Sequence, residues 1–357
     1  MRFSGFRLPG LAASHSPMGL GIFPFSGETA TRLIEQQGFG ANPGALRMFL
    51  YAPPSLPSKA PLVVILHGCT QNAAGYDAGT GWSELAARAG FAVLAPEQTR
   101  ANNVNGCFNW FQSGDTARCE GEAASIRQMI EYAVTVHALD RGRIFITGLS
   151  AGGAMTAAML GAYPEVFAGG AVIAGLPVGA ATNVAEAVSS MRRAPDRLPE
   201  AWGALVRGKS DHAGPWPRLS VWHGDADETV HPGNAEALIA QWACLHGAGA
   251  VSDDTQEGYR RRSWQDKTGK EVVEAVTVSG MGHGAPVSSR QGAGIGQAGL
   301  YFPDMGLSST THIAAFWGLV ARAKAPSGHT GNSMPRRTGK LQGPLLAALR
   351  AAGMLKR

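Results

Sequence analysis

The hydrophobic pattern of the chain contains short apolar runs separated by longer stretches with helical spacing. A strand that is buried on both faces is expected as a short, nearly continuous apolar run. Five such runs are Leu62–Leu66, Phe91–Ala95, Ile144–Thr147, Ala171–Ala174 and Leu219–Trp222. A sixth run, Val272–Val278, alternates more, which favours a strand nearer the edge of the sheet.

Helical spacing occurs between these runs. In Glu122–His137, residues Ile126, Met129 and Ile130 fall on one helical face. The other predicted helices are Trp82–Ala89, Ala151–Tyr163, Asn234–His246 and Thr310–Ala323. Alternation of strands and helices predicts an α/β fold with a mostly parallel central sheet and helices on both faces.

The ends of the chain differ from this central pattern. Residues 1–44 form an N-terminal extension rich in Gly and Pro, with one short helical stretch near Glu28–Gln37. Residues 45–325 form the predicted α/β domain. Residues 326–357 begin as a Ser/Gly/Pro linker and end in an amphipathic stretch, Leu341–Leu355. That stretch is expected to dock on the domain, with binding of a partner as the alternative.

One segment inside the domain breaks the alternation. Residues 176–218 hold several Pro and Gly residues and an amphipathic stretch near Val184–Arg193. We expect this segment to be an insertion that caps the site.

Charge and composition exclude several classes of protein. The net charge is +5, but much of the excess lies in local groups, such as Arg260–Arg262, and not in a basic stripe interleaved with aromatics. Nucleic acid is therefore not an expected partner. No apolar run reaches the roughly 18 residues of a membrane span, so no membrane partner is expected either. No CxxC or Cys/His spacing indicates a metal site.

A G-x-S-x-G motif at Gly148–Gly152 carries the main chemical signal. It lies between a predicted strand and a predicted helix, which is the context of a nucleophilic serine on a tight turn. Ser150 is thus the candidate nucleophile, with negative charge favoured at the helix N-terminus beneath it.

A serine hydroxyl needs a base, and in this context the chain order is Ser, then Asp or Glu, then His. Asp227 and Asp225 both follow the fifth strand. We favour Asp227 as the acid, because it lies three residues after a His-Gly pair and is followed by x-x-Val. Asp225 is the alternative acid; if it does not have that role, it is expected to stabilise the turn. His283 follows the last strand between glycines and is the candidate base. His231 and His312 suit surface or structural roles better.

An oxyanion hole needs two backbone N–H donors. One is expected from Ala151, directly after the nucleophile. The other is expected from Cys69, in the loop after Leu62–Leu66. His67 in the same loop is expected to be structural.

Several further segments complete a specific pattern across residues 45–325. They are Leu66–Gln71, Ala95–Gln98, Cys107–Phe111, Gly121-Glu122, Gly148–Gly153, His223–Pro232 and Gly282-His283. With these segments the chain resembles the esterase family of poly(3-hydroxybutyrate) depolymerases, which is similar to feruloyl and acetylxylan esterases. The Cys-x-Asn-Trp-Phe piece is the most discriminating, because generic α/β hydrolases lack it.

The resemblance implies a serine esterase of the α/β-hydrolase fold that acts on an ester or polyester substrate and needs no cofactor. It places Asn109 and Trp110 near the site, with Gln71 as a further substrate contact. A carbohydrate esterase is the alternative, and a non-catalytic binding protein is the alternative of another class. No signal peptide is predicted, which favours a cytoplasmic location, although the family is often extracellular.

The resemblance also implies a disulfide between Cys69 and Cys107, which would leave Cys119 and Cys244 free. The alternative is two buried thiols, as in a reducing compartment. The chain departs from the family pattern at Val178, where many relatives carry cysteine, and in a loop, Pro286–Pro303, that has no assigned counterpart.

Overall fold

Ten strands form a single sheet in the computed structural model, which describes residues 31–289 and 294–321 of the 357. The strands are β1 (Ile34–Gln36), β2 (Arg47–Tyr51), β3 (Leu62–Leu66), β4 (Ala92–Glu97), β5 (Ile144–Leu149), β6 (Gly169–Ile173), β7 (Arg218–Gly224), β8 (Gly249–Gln256), β9 (Tyr259–Gln265) and β10 (Glu271–Val278). Their order across the sheet is β1-β2-β4-β3-β5-β6-β7-β10-β9-β8. Strands β4, β3, β5, β6, β7 and β10 form a continuous parallel block, and antiparallel strands extend it at both edges.

Helices connect the parallel strands. They are α1 (Ala73–Thr80), α2 (Trp82–Ala89), α3 (Ser113–Thr116), α4 (Gly121–His137), α5 (Ala151–Ala162), α6 (Val184–Arg192), α7 (Pro199–Arg207), α8 (Gly233–His246) and α9 (Ser309–Trp317). Asparagine or serine side chains cap the first turns of three of them; Asn72, for example, accepts a hydrogen bond from the backbone N–H of Gly75.

Apolar side chains pack on both faces of the sheet. In β3, Leu62, Val64 and Leu66 belong to one cluster, whereas Val63 and Ile65 belong to the other. Successive side chains of a strand point to opposite faces, so a strand covered on both sides must be apolar throughout. Helices α4 and α5 pack on the first face and helices α2 and α9 on the second, which confirms the predicted α/β architecture.

Two local predictions are wrong. The helix expected near Glu28–Gln37 is replaced over its later part by β1, which pairs antiparallel with β2 while Arg47 binds both carboxylate oxygens of Glu35. The helix expected over Thr310–Ala323 ends at Trp317, because Gly318 adopts a left-handed conformation with φ of 78°. Residues 1–30 and 322–357, including the predicted C-terminal helix, lie outside the described residues.

The segment 176–218 contains α6 and α7. Its attachment to α8 runs through Gln241, whose side chain bonds both backbone groups of Val178 and the carbonyl oxygen of Trp202. The segment is thus held firmly to the domain, and its role as a cap stays a prediction.

Candidate active site

Ser150 occupies the sharp turn between β5 and α5. Its φ of 58° and ψ of −118° lie in a region that residues other than glycine rarely adopt. The turn also needs small neighbours: a Cβ on Gly152 would lie 2.2 Å from the Leu66 carbonyl oxygen, and one on Gly148 would lie 2.4 Å from the backbone of Gly152. The strained turn holds the serine at the carboxyl end of the strand, over the first turn of a twelve-residue helix.

His283 and Asp227 follow β10 and β7, two neighbouring strands of the parallel block. The two residues are joined by a contact of 2.8 Å between His283 Nδ1 and Asp227 Oδ2. The other carboxylate oxygen of Asp227 accepts hydrogen bonds from the backbone N–H groups of Thr229 and Val230, at 2.8 and 2.9 Å. The carboxylate is therefore fixed in the orientation that receives the imidazole.

Asp225 lies in the same loop but is exposed and binds a different partner. It accepts a hydrogen bond of 2.6 Å from the backbone N–H of Gly280, which ties the loop after β7 to the loop after β10. The structure thus brings Asp227, and not Asp225, to His283.

A second histidine also contacts Asp227, and sequence reasoning missed it. His223 Nε2 lies 2.8 Å from the Val230 carbonyl oxygen and 3.3 Å from Asp227 Oδ2. Although burial raises the pKa of Asp227, hydrogen bonding to His223 and His283 holds that pKa below its ordinary value. The His-Gly pair that marked the acid loop was the available signal for His223.

Ser150 and His283 line one small cavity together with Cys69, Gln71 and Tyr301. The Tyr301 ring stands edge-on to the His283 imidazole, with ring centroids 6.2 Å apart. Tyr301 belongs to the loop that had no assignable counterpart, so no motif pointed to it. Ser150, His283 and Tyr301 meet only because loops from different strands converge at the same edge of the sheet.

The backbone N–H groups of Cys69 and Ala151 differ from those of three neighbouring residues, which are bonded to protein acceptors. Gly68 N–H donates to Gln71 Oε1 at 2.7 Å, Thr70 N–H to the Asn105 carbonyl at 2.8 Å, and Ser150 N–H to the Ile173 carbonyl at 2.9 Å. Within the described ranges, no protein acceptor is bonded to the N–H of Cys69 or Ala151. Both N–H groups belong to segments that form the wall of the serine cavity.

A disulfide joins Cys69 to Cys107 in the structure, while Cys119 and Cys244 are free. Next to it, Asn109 is buried and its amide nitrogen donates to Glu122 Oε1 at 2.8 Å. Asn109 therefore holds its loop in place, and substrate contact by Asn109 stays a prediction.

Glu122 lies at the centre of a buried network. Its carboxyl group accepts hydrogen bonds from the backbone N–H of Asn109 at 2.9 Å and from the side chains of Asn109 and Gln98. Burial raises the pKa of Glu122 to about 8.

Trp110, the neighbour of Asn109, is half-buried, and its contact with substrate also stays a prediction.

The remaining candidate histidines have structural surroundings. His67 is buried, its Nδ1 lying 2.8 Å from the Gly68 carbonyl oxygen while its Nε2 accepts from the backbone N–H of Gln98 at 3.1 Å. His231 is exposed and accepts a bond from its own loop at Gly233. His312 lies in α9, and its ring stands edge-on to the Trp222 ring of β7.

Across residues 31–289 and 294–321, no group of three or more His, Cys, Asp or Glu residues is placed to hold a metal ion. In the same part of the chain, no helix has the length and apolar character needed to cross a membrane.

Comparison with known proteins identifies the family to which the chain is similar. The family described as Esterase PHB depolymerase matches residues 46–266. Poly(3-hydroxyalkanoate) depolymerase C of Paucimonas lemoignei is 43% identical over 303 residues, which are 84% of this chain and 73% of that protein. Feruloyl esterase B of Talaromyces funiculosus is 30% identical over 268 residues, which are 72% of this chain and 74% of that protein.

Among solved structures, an acetyl xylan esterase from Aspergillus awamori superimposes with a TM-score of 0.68 at 23% identity, covering 81% of this chain and 99% of that one. This likeness establishes the shared α/β-hydrolase fold. The matched family and the similar sequences show that the chain belongs to the PHB depolymerase family of esterases and is a carboxylic-ester hydrolase.

Proposed function

We propose that the protein hydrolyses short hydroxyacyl esters and polyesters, such as poly(3-hydroxybutyrate) or its oligomers, through an acyl-enzyme on Ser150. The observation that carries the proposal is a single cavity lined by Ser150 and His283, with His283 Nδ1 held 2.8 Å from a buried carboxylate of Asp227.

The proposed reaction begins with attack of Ser150 Oγ on the ester carbonyl carbon. His283 Nε2 takes the serine proton and passes it to the leaving alcohol oxygen as the ester C–O bond breaks. Asp227 keeps the proton of the neutral imidazole on Nδ1, which leaves Nε2 free to act as the base. Water then attacks the acyl-enzyme, and His283 acts again as base and acid.

The oxyanion is assigned to the N–H groups of Cys69 and Ala151. Donors that are already fixed need no reorganisation when charge develops on the carbonyl oxygen, and loss of one such donor from an enzyme typically costs 10²–10³-fold in kcat. The Cys69–Cys107 disulfide and the bond from Gly68 N–H to Gln71 keep the Cys69 segment in place.

Sequence similarity to a poly(3-hydroxyalkanoate) depolymerase supports the polyester substrate. Similarity to a feruloyl esterase and to acetylxylan esterases supports a second candidate, an esterase that removes feruloyl or acetyl groups from carbohydrate. The higher identity, 43% against 30%, favours the polyester.

A side-by-side assay tests the choice. Purified protein is offered p-nitrophenyl butyrate, 3-hydroxybutyrate oligomers, polyester film and a feruloylated sugar, with Ser150→Ala as the inactive control. We expect the highest kcat/KM on the hydroxybutyrate oligomers. A large preference for the feruloylated sugar would assign the enzyme to carbohydrate esters, and activity retained in Ser150→Ala would remove the nucleophile assignment.

A further inference from the structure

A polar groove lies beside the serine cavity. Its volume is about 350 Å³, and the residues that line it are all polar, charged or glycine. One wall is the loop after β3, with Thr70 and Gln71; the other is the loop after β4, with Thr99, Arg100 and Asn105.

The groove adjoins the proposed site at the segment that follows Cys69. Gln71 lines both the groove and the serine cavity. The two walls are joined by the bond from Thr70 N–H to the Asn105 carbonyl, at 2.8 Å, and by the Cys69–Cys107 disulfide. A substrate that extends from Ser150 past Gln71 would enter the groove.

The charges of the groove leave one cation available. Arg47 is paired with Glu35 and with Glu97, at 2.7 and 2.6 Å, so its positive charge is more than balanced by these two carboxylates. Arg100 is exposed and donates to the Val104 carbonyl oxygen at 3.1 Å, and within the described ranges it pairs with no carboxylate.

Asn105 forms a buried part of the wall. Only 8% of the residue is exposed, and its side-chain amide nitrogen has no hydrogen-bond partner in the described part of the chain. Arg100, the cation of the lining that is unpaired within the described residues, favours a ligand that is negatively charged, and the polar side chains around it favour a ligand with acceptor oxygens.

We propose that this groove binds the terminal carboxylate of a hydroxyacyl oligomer, with Arg100 as the residue that recognises it. The inference rests on the proposed function and names the part of the substrate that the groove takes. In a linear hydroxyacyl chain, the free carboxylate always belongs to the fragment that leaves as the alcohol when an ester bond is cut. The acyl carbon becomes bonded to Ser150 Oγ, the leaving oxygen takes the proton from His283, and the groove holds the departing hydroxy acid.

The test compares the 3-hydroxybutyrate trimer with its methyl ester, both as competitive inhibitors of p-nitrophenyl butyrate hydrolysis and as substrates. At neutral pH the acid carries the charge and the methyl ester does not. We expect the acid to bind about fivefold more tightly, the upper scale of an exposed ion pair. Arg100→Gln should abolish this preference, Arg100→Lys should keep part of it, and Arg100→Glu should reverse it. Arg88→Gln, on the surface of α2, is the matched control and should keep the full preference.

The outcomes separate the groove from the proposed function. If the trimer is hydrolysed but acid and methyl ester bind equally, the groove proposal is overturned and the polyester function stands. If the trimer inhibits with an acid preference that Arg100→Glu reverses, yet is not hydrolysed, the groove stands and the polyester function fails. A trimer that neither inhibits nor reacts overturns the groove proposal, as does a preference that is unchanged in Arg100→Glu.

Discussion

The carboxylate of Asp227 shows how single residues are held at the site. Backbone N–H groups of Thr229 and Val230 bind one oxygen, and His283 and His223 contact the other. Asp225, two positions earlier, faces solvent and binds Gly280. Substitution of Asp227 and substitution of Asp225 should therefore affect activity differently, although both residues lie in one loop.

We expect Asp227→Asn to lower kcat/KM far more than Asp225→Asn. The first change removes the anion that keeps the proton on Nδ1 of His283, and the equivalent change in a serine-protease triad costs about 10⁴-fold in kcat. The second change removes one bond between two loops. Steady-state kinetics of both variants on p-nitrophenyl butyrate provide the comparison, and the opposite ranking would transfer the role to Asp225.

Asp227 should also make stability depend on pH. Its pKa in the folded protein lies below the ordinary value of 3.8. The unfolded chain therefore binds the proton more readily, and the contribution of Asp227 is present above that value and lost as pH falls through the folded pKa. The destabilisation caused by Asp227→Asn should be larger at pH 6 than at pH 3 in urea unfolding. A difference that is the same at both pH values would contradict the depressed pKa.

At the scale of elements, the site depends on how closely α5, β3 and β5 approach one another. The backbone of Gly152 in α5 lies against the Leu66 carbonyl at the end of β3, and the loop after β3 is bridged to the loop after β4 by the Cys69–Cys107 disulfide. Small residues and covalent links at these contacts place the serine and the proposed oxyanion donors.

Gly152→Ala should destabilise the protein by at least about 2 kcal/mol, since overpacking a tight contact typically costs 1–3 kcal/mol. The new Cβ would meet a backbone oxygen at 2.2 Å, and that oxygen belongs to a central strand. Gly249→Ala at the start of β8 is the control, because its Cβ would meet nothing within 4 Å. Urea midpoints compare the two, and equal stabilities would show that α5 can move away from β3.

Thiol counting tests the disulfide. Protein that is purified without reductant and denatured should show two reactive thiols, from Cys119 and Cys244, and four after reduction. Four thiols before reduction would exclude the bridge.

At the scale of the whole molecule, the segment 176–218 packs on the domain beside α8, and its role as a cap over the serine cavity stays a prediction. Helices α6 and α7 are mixed in polarity, and α7 packs on α8 through Trp202. This differs from the long apolar lid of a lipase and favours short acyl chains.

Activity on p-nitrophenyl esters should peak at about four to six carbons. Each methylene that fits contributes up to about 0.8 kcal/mol by burial, whereas a chain that outgrows the pocket gains nothing further. A series from acetate to palmitate measures kcat/KM directly. A steady rise to palmitate, with activation at an oil surface, would indicate a lipase and leave the nucleophile assignment unchanged.

Much of the fold was predictable because its signals are local. The apolar runs marked the strands of the parallel block, since these strands are covered on both faces. The edges were not predictable in the same way. Strand β8 is almost fully exposed and polar, and β1 exists only through its pairing with β2. An edge strand needs a partner more than it needs a hydrophobic pattern.

The sequence by itself determined the α/β class, the turn at Ser150 and the set of candidate acids and bases, because each depends on residues adjacent in the chain. Only the tertiary structure decided which aspartate meets His283, and only it placed His223, Tyr301 and Arg100 around the site. These arrangements join loops that are far apart in sequence. Their geometry follows from strand order and loop packing, which leave no mark at any one position of the chain.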